Sequence, residues 1–280
     1  MDSEPRFAIL IDADNISDRY VKIILDEAAN SGIATYKRIY GDWTSPRLAS
    51  WKNVLLENSI IPMQQYSYTI GKNATDSSII IDAMDILYSG NVDGFCLVSS
   101  DSDFTRLASR LRESGIQVIG MGEQKTPKPF ISACNQFKYL DLIYSNQQKE
   151  EKEEKEEKEQ ETVEPPKHRT GTASAKQKAG TASAKQKEAS SSRKKSSSSK
   201  EKELKQVRKT INAIIEKFSD EDGWLFSGKL GDQLSKRMPE FDVRNYGFTK
   251  FTPFIMSLGN YETDKRPASG GSTQIYFRMK

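Results

Sequence analysis

Aspartates dominate the residues able to do chemistry in the first half of this 280-residue chain, and they fall in three places. Ile11-Asp12-Ala13-Asp14-Asn15 closes an apolar run that reads as a buried strand. Asp76 opens a helical stretch that also carries Asp82 and Asp85. Ser99-Ser100-Asp101-Ser102-Asp103-Phe104 follows a second apolar run, Phe95 to Val98. Gathered carboxylates repel one another unless a cation neutralises them. Oxygen-only donors without histidine or thiolate suit Mg²⁺ or Mn²⁺. Such an ion suits phosphate chemistry, because it polarises phosphoryl oxygens and activates water. Asp101 and Asp103 are the kind of pair that can share one metal from a single turn. Taken singly, Asp14 or Asn15 could simply cap the next helix, as could Ser102 or Asp103 further on. Asp82 and Asp85 read as solvated or supporting helix residues.

The elements that must position these acids alternate regularly. Phe7 to Ile11 is predicted as a strand, Val21 to Ala29 as a helix stopped by Ser31-Gly32, and Ala34 to Tyr40 as a strand. Trp51, Val54 and Leu55 mark a helix, Ile60 to Gln65 a strand, and Asp76 to Tyr88 a helix. Phe95 to Val98 is followed by a helix through Leu111, a strand over Ile116 to Ile119, and a short helix near Pro129 to Ala133. This order predicts an α/β fold, a parallel sheet with helices on both faces. Right-handed crossovers then bring Asp12 and Asp101 to one edge of the sheet, with Asp76 reaching it from a helix start.

The rest of the chain divides sharply. Residues 148–203 lack Trp, Phe, Tyr, Ile and Leu, so they cannot bury a core. Lys149 to Glu161 holds eight Glu against four Lys, and Lys167 to Lys209 holds fourteen Lys or Arg against three Glu. The nonapeptide GTASAKQKA at 171–179 recurs as GTASAKQKE at 180–188, too few copies for a solenoid. Residues 146–202 therefore read as a disordered, charged, low-complexity linker between a domain at 1–145 and another at 203–280. In the latter, Leu204 to Phe218, Leu230 to Met238 and Phe248 to Leu258 show helical spacing, and Gly270-Gly271 separates two extended pieces. Three helices and a terminal hairpin predict a small winged helix.

Several classes are excluded. The single histidine, His168, lies in the linker, so chemistry needing a histidine base is not available. Cys96 and Cys134 sit in apolar contexts and read as buried free thiols. No phosphate-cradling glycine loop, signal peptide or membrane-length apolar run is evident, and the expected compartment is the cytoplasm.

Three stretches, FAILIDADN, GKNATDSSIIIDAMDIL and FCLVSSDSDFTRLASRLRESGIQVIGMG, resemble the NYN domain of the LabA-like group, a branch of the PIN-like nucleases. GEQKTPKPFISACNQFKYL resembles that group's closing segment, so the likeness covers roughly residues 5–143. It implies a PIN-like, Rossmann-like fold and metal-dependent ribonuclease activity. By the same resemblance Asp12, Asp76, Asp101 and Asp103 form the catalytic, Mg²⁺- or Mn²⁺-binding set, with Asn15 beside it and Asp82 as a further family acid. Ser100 stands where many members have glycine before the aspartate. Lys72 matches a basic motif position suited to a phosphate, and Lys125 and Lys128 flank a predicted helix start. Residues 203–279, with EDGW, PEFDVRNYGFTKF and the final YFRMK, resemble the OST-HTH or LOTUS domain. That likeness implies RNA binding, with G-rich or structured RNA as one known preference, or a helicase partner in some relatives. Arg244, Asn245, Tyr246 and Lys250 combine cationic and planar groups suited to RNA; core packing is the other reading of Tyr246 and the preferred one for Phe248. The expected protein is an endoribonuclease whose second domain recruits RNA across the linker. A non-catalytic RNA-binding adaptor with a vestigial site is the alternative. A phosphatase acting on small substrates fits the second domain poorly.

Overall fold

Strand β1 (Arg6–Asp12) shows why the sheet is buried on both faces: Phe7 through Asp12 are all sealed from solvent. Phe7, Ile9 and Ile11 point into one apolar core and Ala8 and Leu10 into another, the two-residue alternation of a strand between two helical layers. In this computed structural model, which describes residues 4–66, 74–161, 189–267 and 273–280, β1 is the third strand of a six-stranded parallel sheet. The order is β3-β2-β1-β4-β5-β6, with β2 at Ile33–Gly41, β3 at Ile61–Gln64, β4 at Gly94–Val98, β5 at Gln117–Gly122 and β6 at Gln136–Tyr139. Helices α1 (Val21–Ala29), α2 (Trp51–Asn58) and α6 (Leu140–Glu161) cover the face of Phe7 and Ile9. Helices α3 (Ala74–Ser89), α4 (Thr105–Glu113) and α5 (Lys128–Ala133) cover the other.

The predicted α/β architecture is therefore the observed one, with one strand added. β6 has only four residues and a polar–apolar mixture, so periodicity does not distinguish it from loop. It closes one edge of the sheet and leads directly into α6.

The expected linker begins and ends in helix. α6 continues to Glu161 and α7 starts at Ala189, so much of 146–202 is helical. In the LysGluGlu repeats opposite charges stand four residues apart, as at positions 151 and 155, a spacing that favours helix. The nonapeptide repeat and His168 lie outside the described residues.

Beyond the linker, α7 (Ala189–Phe218), α8 (Ser227–Arg237) and α9 (Phe251–Ser257) pack on a three-stranded antiparallel sheet ordered β7-β9-β8. Its strands are β7 (Leu225–Phe226), β8 (Tyr261–Pro267) and β9 (Thr273–Met279), the last two forming the predicted hairpin. Val207, Ile211, Leu230, Leu234, Phe254 and Phe277 make the core of this winged helix. Among the described residues, no helix is long and apolar enough to cross a membrane. Cys96 and Cys134 are buried and free, and burial pushes both thiols up to about 12.

Candidate active site

Neighbouring strands β1 and β4 leave the sheet in opposite directions of crossover, and a crevice opens beyond their carboxyl ends at such a reversal. Asp12 is the last residue of β1 and is only 1% exposed. Its Oδ2 accepts from Asn15 Nδ2 at 2.7 Å and from Ser99 Oγ at 2.8 Å, and its Oδ1 from the Asp14 backbone N–H at 3.1 Å. Burial raises the Asp12 pKa, against the lowering effect of the Asn15 and Ser99 hydrogen bonds. Ser99 Oγ also accepts from the Asp101 N–H at 3.1 Å, so one hydroxyl ties the ends of β1 and β4 together.

Asp101 caps the turn that leads into α4, accepting from the Asp103 N–H at 3.0 Å. The capping role expected of Ser102 or Asp103 thus belongs to Asp101. Asp76 lies in the first turn of α3. Its pKa is pushed up to about 6, first by burial and then by the charges of Asp12, Asp101, Asp103 and Asp14. The structure therefore brings Asp12, Asp101 and Asp103 within electrostatic reach of Asp76 and adds a further acid, Asp14. Thr75 Oγ1 donates to Asp14 Oδ2 at 2.9 Å, which fastens the start of α3 to the end of β1. Among the described residues no three acidic, histidine or cysteine side chains stand together as a ready-made metal cage. The donor set fits a hard divalent cation by chemistry and charge, with the carboxylates more widely spread than a closed cage.

Asn15 orients Asp12, and Ser100, buried at the crevice floor, accepts from the Glu123 N–H at 3.0 Å through Oγ. Asp82 is not among the acids that act on Asp76; it pairs with Arg38 and accepts from the Tyr40 hydroxyl, pinning α3 to β2. Lys125 pairs with Glu123 at 2.8 Å, and Lys128 is the first residue of α5. Lys72 lies outside the described residues. In the C-terminal domain Lys250 is exposed just before α9. Arg244 is engaged by Glu27 at 2.6 and 3.0 Å and by Asp242 at 2.7 Å. The Tyr246 ring packs 5.1 Å from that of Phe254 and 6.1 Å from that of Phe241, in the domain core.

Sequence reasoning missed Ser99 and Thr75, and it treated Asp14 as a cap. Both hydroxyl residues flank an acid at the end or start of an element, a weak signal shared with any capping residue. A second feature of the C-terminal domain also carried no sequence signal. Arg266 stacks over Tyr276 at 4.3 Å and Arg278 over Trp224 at 4.6 Å, side by side on the wing.

Family models match the chain twice: an NYN domain at residues 6–141 and an OST-HTH/LOTUS domain at residues 202–273. No curated protein matches. Among solved structures, a Vibrio parahaemolyticus protein of unknown function, VPA0982, is similar at 21% identity, covering 50% of this chain and 94% of that one with a TM-score of 0.43. The WlbA dehydrogenase from Bordetella pertussis, in complex with NADH and UDP-GlcNAcA, is 15% identical over 52% of this chain and 37% of its own, with a TM-score of 0.29. Both likenesses are too distant to carry an argument about chemistry. NYN domains belong to the PIN-like nuclease superfamily, and OST-HTH/LOTUS domains bind RNA. The parallel sheet with its acidic crevice is thus matched as an NYN domain and the second domain as an OST-HTH/LOTUS domain.

Proposed function

We propose that the chain is a metal-dependent endoribonuclease, of the LabA-like kind, that hydrolyses RNA phosphodiester bonds at its aspartate crevice. The observation that carries this reading is Asp76, held up to about 6 by burial and by four neighbouring carboxylates. A fold keeps such repulsion where it serves a function, and a divalent cation is the partner that relieves it. Asp12, Asp76, Asp101 and Asp103 would hold Mg²⁺ or Mn²⁺, which when bound polarises the scissile phosphate and lowers the pKa of a bound water. Asp12 is oriented by Asn15 and Ser99, and Asp101 is fixed by its cap, so both carboxylates are held in place before substrate arrives. Asp14 and Thr75 keep the start of α3 at the crevice.

The OST-HTH domain would recruit the RNA, G-rich or structured, with a helicase as an alternative protein partner. Lys250 and the Arg266–Tyr276 and Arg278–Trp224 stacks supply exposed or part-exposed cationic and planar groups for it. The spread of the carboxylates favours one second reading, a non-catalytic RNA-binding adaptor with a vestigial site.

The test is incubation of the full chain with structured and single-stranded RNA, with Mn²⁺, Mg²⁺ or chelator, beside Asp101→Asn. The nuclease reading expects metal-dependent cleavage that falls to background in the variant. RNA left intact under every metal condition would overturn it, and equal cleavage by the variant would overturn the assignment of the site.

A further inference from the structure

Glu27 is a carboxylate on α1 that is only 6% exposed with the second domain in place. A buried carboxylate is costly unless it is paired and hydrogen-bonded. Lys138 of β6 lies 3.6 Å away, and the remaining partner comes from the other domain. Arg244 grips both Glu27 oxygens, at 2.6 and 3.0 Å, the two-pronged geometry that suits a guanidinium and a carboxylate. Arg244 also donates to Asp242, and Asp242 accepts from Lys138 at 3.0 Å. Glu27, Arg244, Asp242 and Lys138 thus close a ring of two positive and two negative charges with no residual charge.

Two further contacts reach the same short segment from other elements. β6 is an edge strand, paired only with β5, and its outward Phe137 N–H donates to the Pro239 carbonyl at 2.8 Å. An edge strand with open N–H groups invites pairing, and here the second domain covers it. Asn146 of α6 donates through Nδ2 to the Arg244 carbonyl at 2.8 Å. Three elements of the NYN domain, α1, β6 and α6, therefore converge on residues 239–244.

We propose that Glu27, Phe137, Lys138 and Asn146 form a docking site for the segment 239–244 of the same chain, so that the OST-HTH domain rides on the NYN domain as one body rather than on a free tether. Arg244 is then an interdomain residue, and RNA is met by other faces of the winged helix. The site lies on the edge-strand side of the sheet, outside the aspartate set, and the proposal stands or falls independently of cleavage.

The full chain would be measured by small-angle X-ray scattering and by hydrogen exchange in four forms: wild type, Glu27→Arg, Arg244→Glu and the double charge swap. Expected are a compact monomer whose radius of gyration does not change with tenfold dilution, an increase in that radius for each single variant, and a partial return in the double swap, which restores the 27–244 pair but sets it against Lys138 and Asp242. The Phe137 amide should exchange at least about tenfold faster in the single variants while the β4 and β5 amides keep their protection, which shows that the NYN domain itself remains folded. Three results would overturn the proposal: scattering indifferent to the single variants, a Phe137 amide already unprotected in the wild type, or compaction found only in a dimer. An RNA-contact role for Arg244 predicts the opposite pattern: RNA affinity lost in Arg244→Glu, kept in Glu27→Arg, with neither variant altering the scattering.

Discussion

Replacing Asp76 by asparagine should stabilise the metal-free protein, although it removes a residue from the proposed active site. The Asp76 carboxyl ordinarily ionises at 3.8 and is pushed up to about 6 in the fold by burial and by Asp12, Asp101, Asp103 and Asp14. Holding it ionised at pH 8 therefore costs at most about 3 kcal/mol relative to a free aspartate. Asp76 is only partly buried, and solvent screening reduces that figure to about 1–2 kcal/mol. The sign follows from where the proton sits. Between about pH 4 and pH 6 the folded state keeps a proton that the unfolded chain has lost, so the penalty is fully present above about pH 6.5 and fades as the pH falls towards 4. Asp76→Asn carries no such penalty. In chelator at pH 8 its melting temperature should exceed the wild type's by about 3–6 °C for a domain of this size, and the two should converge by about pH 4. Added Mn²⁺ should raise the wild type and leave the variant nearly unmoved. A variant that is less stable than wild type at pH 8, or a difference that does not change with pH, would refute the reasoning that the acids repel across this crevice.

Other substitutions separate the cluster from its surroundings. Asp82→Asn breaks the Arg38 pair and weakens the bond from the buried Tyr40 hydroxyl, so it should cost about 1–3 kcal/mol in urea unfolding while Mn²⁺ binding is unchanged. A Cβ on Gly122 would stand 2.6 Å from the Ser99 carbonyl oxygen and 2.7 Å from Thr126 Oγ1. Gly122→Ala should therefore lose about 1–3 kcal/mol and also reduce cleavage, because Ser99 holds Asp12. Burial alone would raise Asp242, but the hydrogen bonds from Arg244 and the charge of Lys138 hold it at about 2. Its contribution of about 2 kcal/mol is present above about pH 4 and lost as the pH falls towards 2, with Glu27 the other carboxylate of the ring. Scattering at pH 6 and at pH 2 should show a compact and then a more open chain.

How legible this molecule is from sequence depends on whether a feature is local. The strands that lead to Asp12 and Asp101 announce themselves because a strand buried on both faces needs a continuous apolar run; Asp12 closes one such run and Asp101 follows the other after two serines. Asp76 is legible as the first acid of a periodic helix. Ser99 is not, because a serine after a strand reads as a turn residue, and only the fold brings its hydroxyl to Asp12, eighty-seven positions away. Asp82 follows the helical pattern, but its partners Arg38 and Tyr40 come from β2, and pairing across that distance has no sequence signal. The same limit explains Arg244. Its type and setting fit RNA contact, and only the docked arrangement gives it Glu27 as a partner from 217 positions away. The acidic end of the charged segment shows the converse, where local Glu–Lys spacing accords with a helix.

The claim on which the account rests is that this set of aspartates is a cation site. Electron paramagnetic resonance of Mn²⁺ titrated into the full chain measures it without relying on cleavage. Saturable binding is expected in the wild type, lost or weakened at least about tenfold in Asp12→Asn and in Asp101→Asn, and kept in Asp82→Asn. No saturable Mn²⁺ in the wild type, or binding indifferent to Asp12 and Asp101, would contradict it.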